Sequence, residues 1–338
     1  MSKQKVELLS PAGNLEKLKI AIKYGADAVY GGVSHFSLRI RASKEFTYET
    51  FKEAIDYAHE RGKKVYATIN GFPFNSQIEL LKTHIKKMAE LKPDAFIVAA
   101  PGVVRLCREI APQIDIHLST QANVLNYLDA QVFWDMGVKR IVVAREISLK
   151  DVMEIKKHLP DMEIEIFVHG SMCFAYSGRC LISAVQMGRV PNRGSCANDC
   201  RFEYTLYAGN DEHGSLFRLE EEPGVGTYIF NSKDMNLASH IQEILDSGAV
   251  DSLKIEGRTK SPYYAAVTAK AYREAIDDYY AGKFEPEKYQ KELHTTKNRG
   301  FTDAYLIHKP FEKTDSQNHD YALSKGSYEV TGLVTEDE

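Results

Sequence analysis

The chain has 338 residues, enough for about two domains or for one large barrel with an addition. Hydrophobic residues make up 43% and charged residues 27%, and the 22 glycines and 11 prolines follow no period, which excludes collagen-like, coiled-coil and disordered chains. Lys plus Arg number 43 against 47 Asp plus Glu, a net charge of −4, so any nucleic-acid contact must come from a local patch and not from bulk charge.

The opening residues, Met1 to Asn14, hold no apolar stretch long enough for a signal peptide, and nowhere do roughly 18 apolar residues run together, so the chain reads as cytoplasmic and away from membranes. Short runs rich in Val, Ile, Tyr and Phe then recur at Val6–Leu9, Ala28–Tyr30, Val65–Ile69, Ala95–Val98, Ile114–Leu118, Arg140–Val143, Ile164–Val168 and Leu253–Ile255. Each reads as a strand. Between them, apolar residues at helical spacing predict helices over Leu15–Tyr24, Tyr48–Arg61, Ile78–Leu91, Ala122–Met136 and Leu149–His158. Gly25, Pro93, Gly137 and Gly248 end helices just before strands, because glycine supplies a left-handed cap and proline cannot continue a helix. Near-continuous apolar strands indicate a parallel sheet covered on both faces. Eight such units, with no GxGxxG after the first strand to favour a doubly wound sheet, predict an α/β fold of the (β/α)8 TIM-like barrel class.

The gap between strands seven and eight is far longer than the others and marks a cysteine-rich β insertion. Strand-like pieces at Tyr204–Tyr207, Leu216–Leu219 and Tyr228–Phe230 predict a small antiparallel appendage, and a helix over Leu237–Leu245 leads into the last strand. The expected division is 1–169 for barrel strands 1–7, 170–235 for the insertion, 236–312 for the end of the barrel and C-terminal helices, and 313–338 for a linker. That linker would enter a truncated small β domain, with Tyr328–Thr331 as its first strand.

Cys173, Cys180, Cys196 and Cys200 form Cys-x6-Cys-x15-Cys-x3-Cys inside the insertion, which a barrel of this class would place on its C-terminal, active-site face. Clustered thiols in a reducing compartment point to a metal, and soft thiolates suit an iron-sulfur cluster or zinc. Cys107 lies on a helix and reads as a small hydrophobe. Around the cluster, Arg179, Arg189, Arg193 and Arg201 face one acid, Asp199, so an anionic small molecule or an RNA backbone could be gripped there by bidentate guanidinium contacts.

The run from Glu165 through His169-Gly170-Ser171-Met172-Cys173 to Cys180-Leu181-Ile182-Ser183 resembles the signature of the collagenase-like peptidases of family U32. Leu9-Ser10-Pro11-Ala12-Gly13, Gly25 to Gly32, Asn192 to Cys196, Asn231-Ser232-Lys233-Asp234 and Lys254-Ile255-Glu256-Gly257-Arg258 are similar to other blocks of that family. The resemblance implies an N-terminal barrel, often followed by a small β domain. Some members are labelled collagenases. Others use an iron-sulfur cluster for oxygen-independent hydroxylation of a tRNA uridine, an rRNA cytidine or ubiquinone precursors, with prephenate as hydroxyl donor in the RNA cases. Members often carry a cysteine shortly after the Ser-Lys-Asp block; here Met235-Asn236-Leu237 stand there, which leaves Cys200 as the fourth ligand.

Residues just beyond strand ends should line the active site. Glu256, His169 and Lys254 are the expected catalytic groups, and Arg145, Arg258, Gln121, Asn70 and Arg193 the expected substrate-binding groups, with Arg39 and Arg41 also near the mouth. Lys254, Glu256 and Arg258 recur at spacing two and so share one face of a strand, as an ion pair or as an acid/base and anion-binding set. No HExxH helix, GxSxG elbow or Walker loop is present. The expectation is therefore an iron-sulfur enzyme acting on RNA with a small anionic metabolite. Two alternatives stand beside it: a metal-dependent peptidase acting on a protein substrate, with His169 or Glu165 completing a three-cysteine site, and an RNA-binding protein with a structural zinc.

Overall fold

The computed structural model describes residues 5–33, 36–38, 46–210, 212, 214–219, 228–308, 316–321, 323–324 and 326. Eight parallel strands close into a barrel: β1 (Glu7–Pro11), β2 (Ala28–Gly31), β3 (Lys64–Ile69), β4 (Ala95–Val98), β5 (Asp115–Leu118), β6 (Arg140–Val142), β7 (Glu163–Ser171) and, much later, β11 (Ser252–Ile255). The ring is completed by β11, which pairs in parallel with both β7 and β1. All eight strands fall where the apolar runs predict them, although β7 runs on to Ser171.

Alternation along the strands divides the core in two. Leu8, Val29, Val65, Phe96, Ile116, Ile164 and Leu253 pack outward against the helices, while Leu9, Ala28, Tyr30, Tyr66, Ala95 and Ile97 form a separate inner cluster. The helical layer consists of α1 (Leu15–Lys23), α2 (Tyr48–His59), α3 (Ile78–Glu90), α4 (Pro101–Ile110), α5 (Tyr127–Asp135), α6 (Leu149–His158) and α9 (Pro262–Tyr280). Cys107 is fully buried on α4, as a small hydrophobe would be.

The other half of the barrel interior is ionic, which apolar patterning did not predict. Arg140 on β6 reaches Glu7 on β1 at 2.5 Å and Glu163 and Glu165 on β7 at 2.7 and 3.1 Å. Lys254 on β11 reaches the other oxygen of Glu165 at 2.8 Å. Glu7 also accepts from the Tyr66 hydroxyl at 2.7 Å and from Ser252 at 3.1 Å.

The fifth helix starts later than its apolar pattern suggests. Asn126 caps it, accepting the Leu128 and Asp129 amides at 3.0 Å each, while Asn123 before it is left-handed at φ 61°.

After β7 the insertion contains α7 (Ile182–Met187) and an antiparallel hairpin of β8 (Tyr207–Asn210) and β9 (Ser215–Arg218). The expected strand at Tyr228–Phe230 is a turn, because the Phe230 ring packs edge-on against Phe174 at 4.8 Å and Tyr204 at 5.7 Å. In its place β10 (Asp234–Asn236) pairs antiparallel with the end of β7 and parallel with β12 (Phe301–Thr302). The helix expected over Leu237–Leu245 is a 3-10 turn at Ala238–His240 followed by α8 (Ile241–Asp246); α10 (Pro286–Leu293) packs on α9. Tyr328–Thr331, Arg39 and Arg41 lie outside the described residues. Among the described residues, no helix is long and apolar enough to cross a membrane.

Candidate active site at the mouth of the barrel

The C-terminal ends of the strands open into one cavity. Its wall includes Asn70, Gln121, Arg145, Lys254, Glu256 and Arg258 together with all four clustered cysteines, so ten residues singled out from the sequence meet there. His169 and Arg193 are not among its lining.

Lys254 sits at the cavity floor with its side chain 5% exposed, bonded to Glu165 and lying 4.5 Å from the Tyr30 ring centre and 5.5 Å from that of Phe167. Burial alone would raise the Glu165 carboxyl, but Lys254 and Arg140 outweigh it and hold the pKa below the ordinary value. The partner of Lys254 is thus Glu165, two strand positions away on β7, and not its sequence neighbour Glu256. Glu256 instead accepts the Tyr30 hydroxyl at 3.0 Å, and burial, reinforced by that carboxylate, raises the Tyr30 pKa well above its usual value. Arg258 donates to Ser37 at 2.8 Å, to Thr68 at 3.3 Å and to the Leu38 carbonyl. Asn70 accepts the Leu38 amide at 3.1 Å, which ties the same short segment to the rim.

Arg145 differs from these. Its guanidinium lies 4.4 Å from the Phe167 ring centre and has no hydrogen-bond or ion-pair partner among the described residues. In the same wall Gln121 is buried, and its side-chain oxygen has no partner among the described residues. A cation without a counter-charge and an unsatisfied polar group in one cavity wall are features that an anionic or polar ligand could satisfy.

His169 is placed elsewhere for a specific reason. The register of β7 against β11 shifts between Lys254, opposite Phe167, and Ile255, opposite His169. That irregularity takes His169 out of the alternation that keeps Glu165 and Phe167 inward. Its imidazole is buried among Tyr264, Tyr272 and Phe301, and burial holds its pKa down at about 3. Gly170, at φ 112°, permits the crossing here: a Cβ would stand 2.4 Å from the Glu256 carbonyl.

The cysteine loop is bound to the barrel by its own polar groups. Asn192 accepts the Cys180 amide at 3.3 Å and donates to the Gly178 carbonyl at 3.0 Å. Arg179 donates to the Gln121 carbonyl at 3.0 Å, Arg189 to the Cys196 carbonyl at 3.5 Å, and Arg193 to Gln77 at 2.8 Å while stacking on Phe74. Of the four local arginines, Arg179 and Arg193 therefore tie the loop to the barrel and Arg189 ties it to itself.

All five cysteines are free. Two backbone amides point at sulfur, Ile182 N–H to Cys180 Sγ and Asn198 N–H to Cys196 Sγ, each at 3.4 Å. Burial pushes the Cys180 and Cys200 thiols up, a shift that a bound cation reverses. Among the described residues no three Cys, His, Asp or Glu side chains are drawn to single-ion distance. Four soft donors on one cavity, two of them with N–H···S bonds, fit a thiolate-bound metal group.

Sequence reasoning did not single out Phe167, Thr68 or Ser177, which also line the cavity. Phe167 was accessible from the alternation with Glu165; Ser177 owes its place to a left-handed backbone that no local pattern announces.

Residues 13–316 match the family model described as Peptidase family U32. A Helicobacter pylori protein named tRNA hydroxylation protein P is 70% identical over 98% of this chain and 79% of its own length. An Escherichia coli protein of the same name is 41% identical over 95% of this chain and 78% of its own. A Porphyromonas gingivalis protein named Collagenase is 31% identical over 89% of this chain and 73% of its own.

Proposed function

The chain belongs to peptidase family U32, and from that premise we propose that it is an RNA-modifying enzyme, an iron-sulfur protein that hydroxylates a tRNA base without molecular oxygen. The observation that carries the reading is the cavity that collects the four free thiols, Arg145, unpaired among the described residues, and the Glu256–Tyr30 pair. The names of the relatives at 70% and 41% identity point to tRNA as the substrate class.

Cys173, Cys180, Cys196 and Cys200 would hold a 4Fe-4S cluster, which supplies one-electron chemistry when bound. The target base must leave its stack to reach a cavity at the end of a barrel. Arg145 holds a carboxylate of an anionic hydroxyl donor, proposed to be prephenate, with Gln121 offering its free oxygen to a donor group. Arg258, fixed by Ser37 and Thr68, shapes the opposite wall. Glu256 accepts a hydrogen bond from Tyr30 and is placed to take a proton from the reacting base. Lys254, held by Glu165, keeps a fixed positive charge under the reacting atoms.

A hydrolytic metal centre, as the relative named Collagenase would suggest, finds less support. Glu165 is committed to Lys254 and Arg140, and His169 lies behind the strand, so neither is available as a ligand or a water-activating base.

Metal and acid-labile sulfide analysis of protein purified without oxygen tests the assignment. About four iron and four sulfide per chain are expected, lost in Cys180→Ser. Converting a base C–H to C–OH with the hydroxyl of prephenate, which would leave as its aromatic keto acid and CO2, removes two electrons and a proton from the base. Unmodified tRNA incubated with the protein, prephenate and a one-electron acceptor should therefore gain the mass of one oxygen atom. One zinc without sulfide, or no mass gain by iron-loaded protein, overturns the reading.

A further inference from the structure

We propose that Glu146 and Ser177 are positioning residues, a latch that fixes the segment between Cys173 and Cys180 to the barrel mouth and so sets where two of the four thiols stand. The inference rests on reading the cysteines as one metal-binding set, but its test does not depend on which metal they hold.

Ser177 is a serine in the left-handed region, at φ 42° and ψ 38°, and is followed by Gly178 at φ 82°. Two successive left-handed residues reverse the chain and return Cys180 toward the cavity. Glycine takes this conformation freely, whereas serine is strained in it and persists only where surrounding contacts over-determine it. Here one carboxylate does so. Glu146 Oε1 accepts the Ser177 amide at 2.7 Å, and Glu146 Oε2 accepts the Ser177 hydroxyl. The hydroxyl oxygen in turn accepts the Arg145 amide at 3.0 Å. Ser177 is 1% exposed and lines the cavity, so its polar groups have no easy exchange with water.

The latch joins two features that the chemistry needs in register. Arg145, with its unpaired guanidinium, and Glu146 are adjacent on the loop after β6, and both are tied to the middle of the first cysteine pair. Other contacts follow on either side: Asn123 donates to the Tyr176 carbonyl at 3.4 Å and Arg179 to that of Gln121 at 3.0 Å. These are single bonds, and Ser177 alone is held through both backbone and side chain by an ionised group, the stronger kind of hydrogen bond.

The test uses the full chain as purified without oxygen, in wild type, Glu146→Gln and Ser177→Ala. Alkylation by iodoacetamide is followed at each cysteine by mass spectrometry, together with the decay in air of the metal-dependent visible absorption. Loss of a hydrogen bond to a charged group predicts alkylation of Cys173 and Cys180 at least about 10-fold faster in both variants, with the absorption decaying faster by a similar factor. Cys107, buried in the barrel wall, should be unchanged and reports global unfolding. Should Glu146→Gln not fold, Ser177→Ala alone decides. Unchanged rates at Cys173 and Cys180, or acceleration that includes Cys107 equally, overturn the proposal. Zinc in place of iron would overturn the iron-sulfur reading and leave the alkylation pattern to judge the latch.

Discussion

Replacing Glu165 by glutamine should destabilise the chain by about 3–5 kcal/mol, the cost of leaving a buried cation without its counter-charge. The Lys254 and Glu165 side chains are 5% and 1% exposed and meet at 2.8 Å. Without the carboxylate, the ammonium keeps only the Tyr30 and Phe167 rings at 4.5 and 5.5 Å. Such contacts contribute about 2 kcal/mol when desolvated, less than the cost of leaving the buried ammonium without its carboxylate. Arg140 suffers less, since it retains Glu7 and Glu163. If the unmatched Lys254 is the source of the loss, removing it should restore stability. The double variant Glu165→Gln/Lys254→Met should therefore exceed Glu165→Gln alone by at least about 2 kcal/mol. Equilibrium urea unfolding near neutral pH, with metal content matched among the proteins, gives midpoints and slopes for the cycle. A loss below about 1 kcal/mol for Glu165→Gln, or a double variant that loses the sum of both single effects, would refute the ionic account of the barrel interior.

Stability should fall as pH drops below about 6.5. Burial holds the folded pKa of His169 at about 3 and that of His117 well below 6.5, so the unfolded chain takes up protons that the folded chain refuses. Each adds a slope of about 1.4 kcal/mol per pH unit between its two pKa values, present in full above 6.5 and lost on acidification; His169→Gln should remove about half of the proton uptake measured on unfolding near pH 5. Arg145→Ala should raise the KM for the anionic donor roughly 10- to 100-fold and leave the metal content intact, and an unchanged KM would take Arg145 out of the site. Gly170→Ala forces a Cβ to within 2.4 Å of the Glu256 carbonyl at a φ of 112°, so a loss of about 1–3 kcal/mol in urea unfolding is expected.

The barrel was readable because its outward strand faces are continuous apolar runs separated by glycine and proline stops. That the four cysteines meet at one cavity was readable because the thiols crowd one loop. What escaped is what depends on partners remote in sequence. Arg140 and Glu7 are 133 residues apart, and nothing local marks either as buried. Lys254, Glu256 and Arg258 do line one cavity, although β11 ends at Ile255 and the last two lie beyond it, and each takes a partner from another strand or loop. His169 was misplaced because alternation assumes an unbroken ladder, and the register shift against β11 breaks it at that residue. The late start of α5 follows the same logic: Asn126 as a cap overrides an apolar pattern that runs on ahead of it.

In the proposed reaction these placements set where an anionic donor would sit. Of the three basic residues that line the cavity among the described residues, Lys254 is ion-paired with Glu165, and Arg258 is turned into Ser37, Thr68 and the Leu38 carbonyl. Arg145 alone, among the described residues, brings a positive charge to the cavity without a protein partner. It lies on the loop after β6, whose next residue holds Ser177 between Cys173 and Cys180. An anionic donor bound at Arg145 would thereby be brought to the cysteine side of the cavity, with Glu256, just after β11, and Tyr30, on β2, also in the cavity wall. The floor charge on Lys254, already paired, can polarise a bound base without capturing the anion meant for Arg145. In the proposed reaction the ion network inside the barrel thus has a consequence at the mouth: by pairing Lys254 from below, Glu165 would leave Arg145, among the described residues, as the cation that meets the anionic donor.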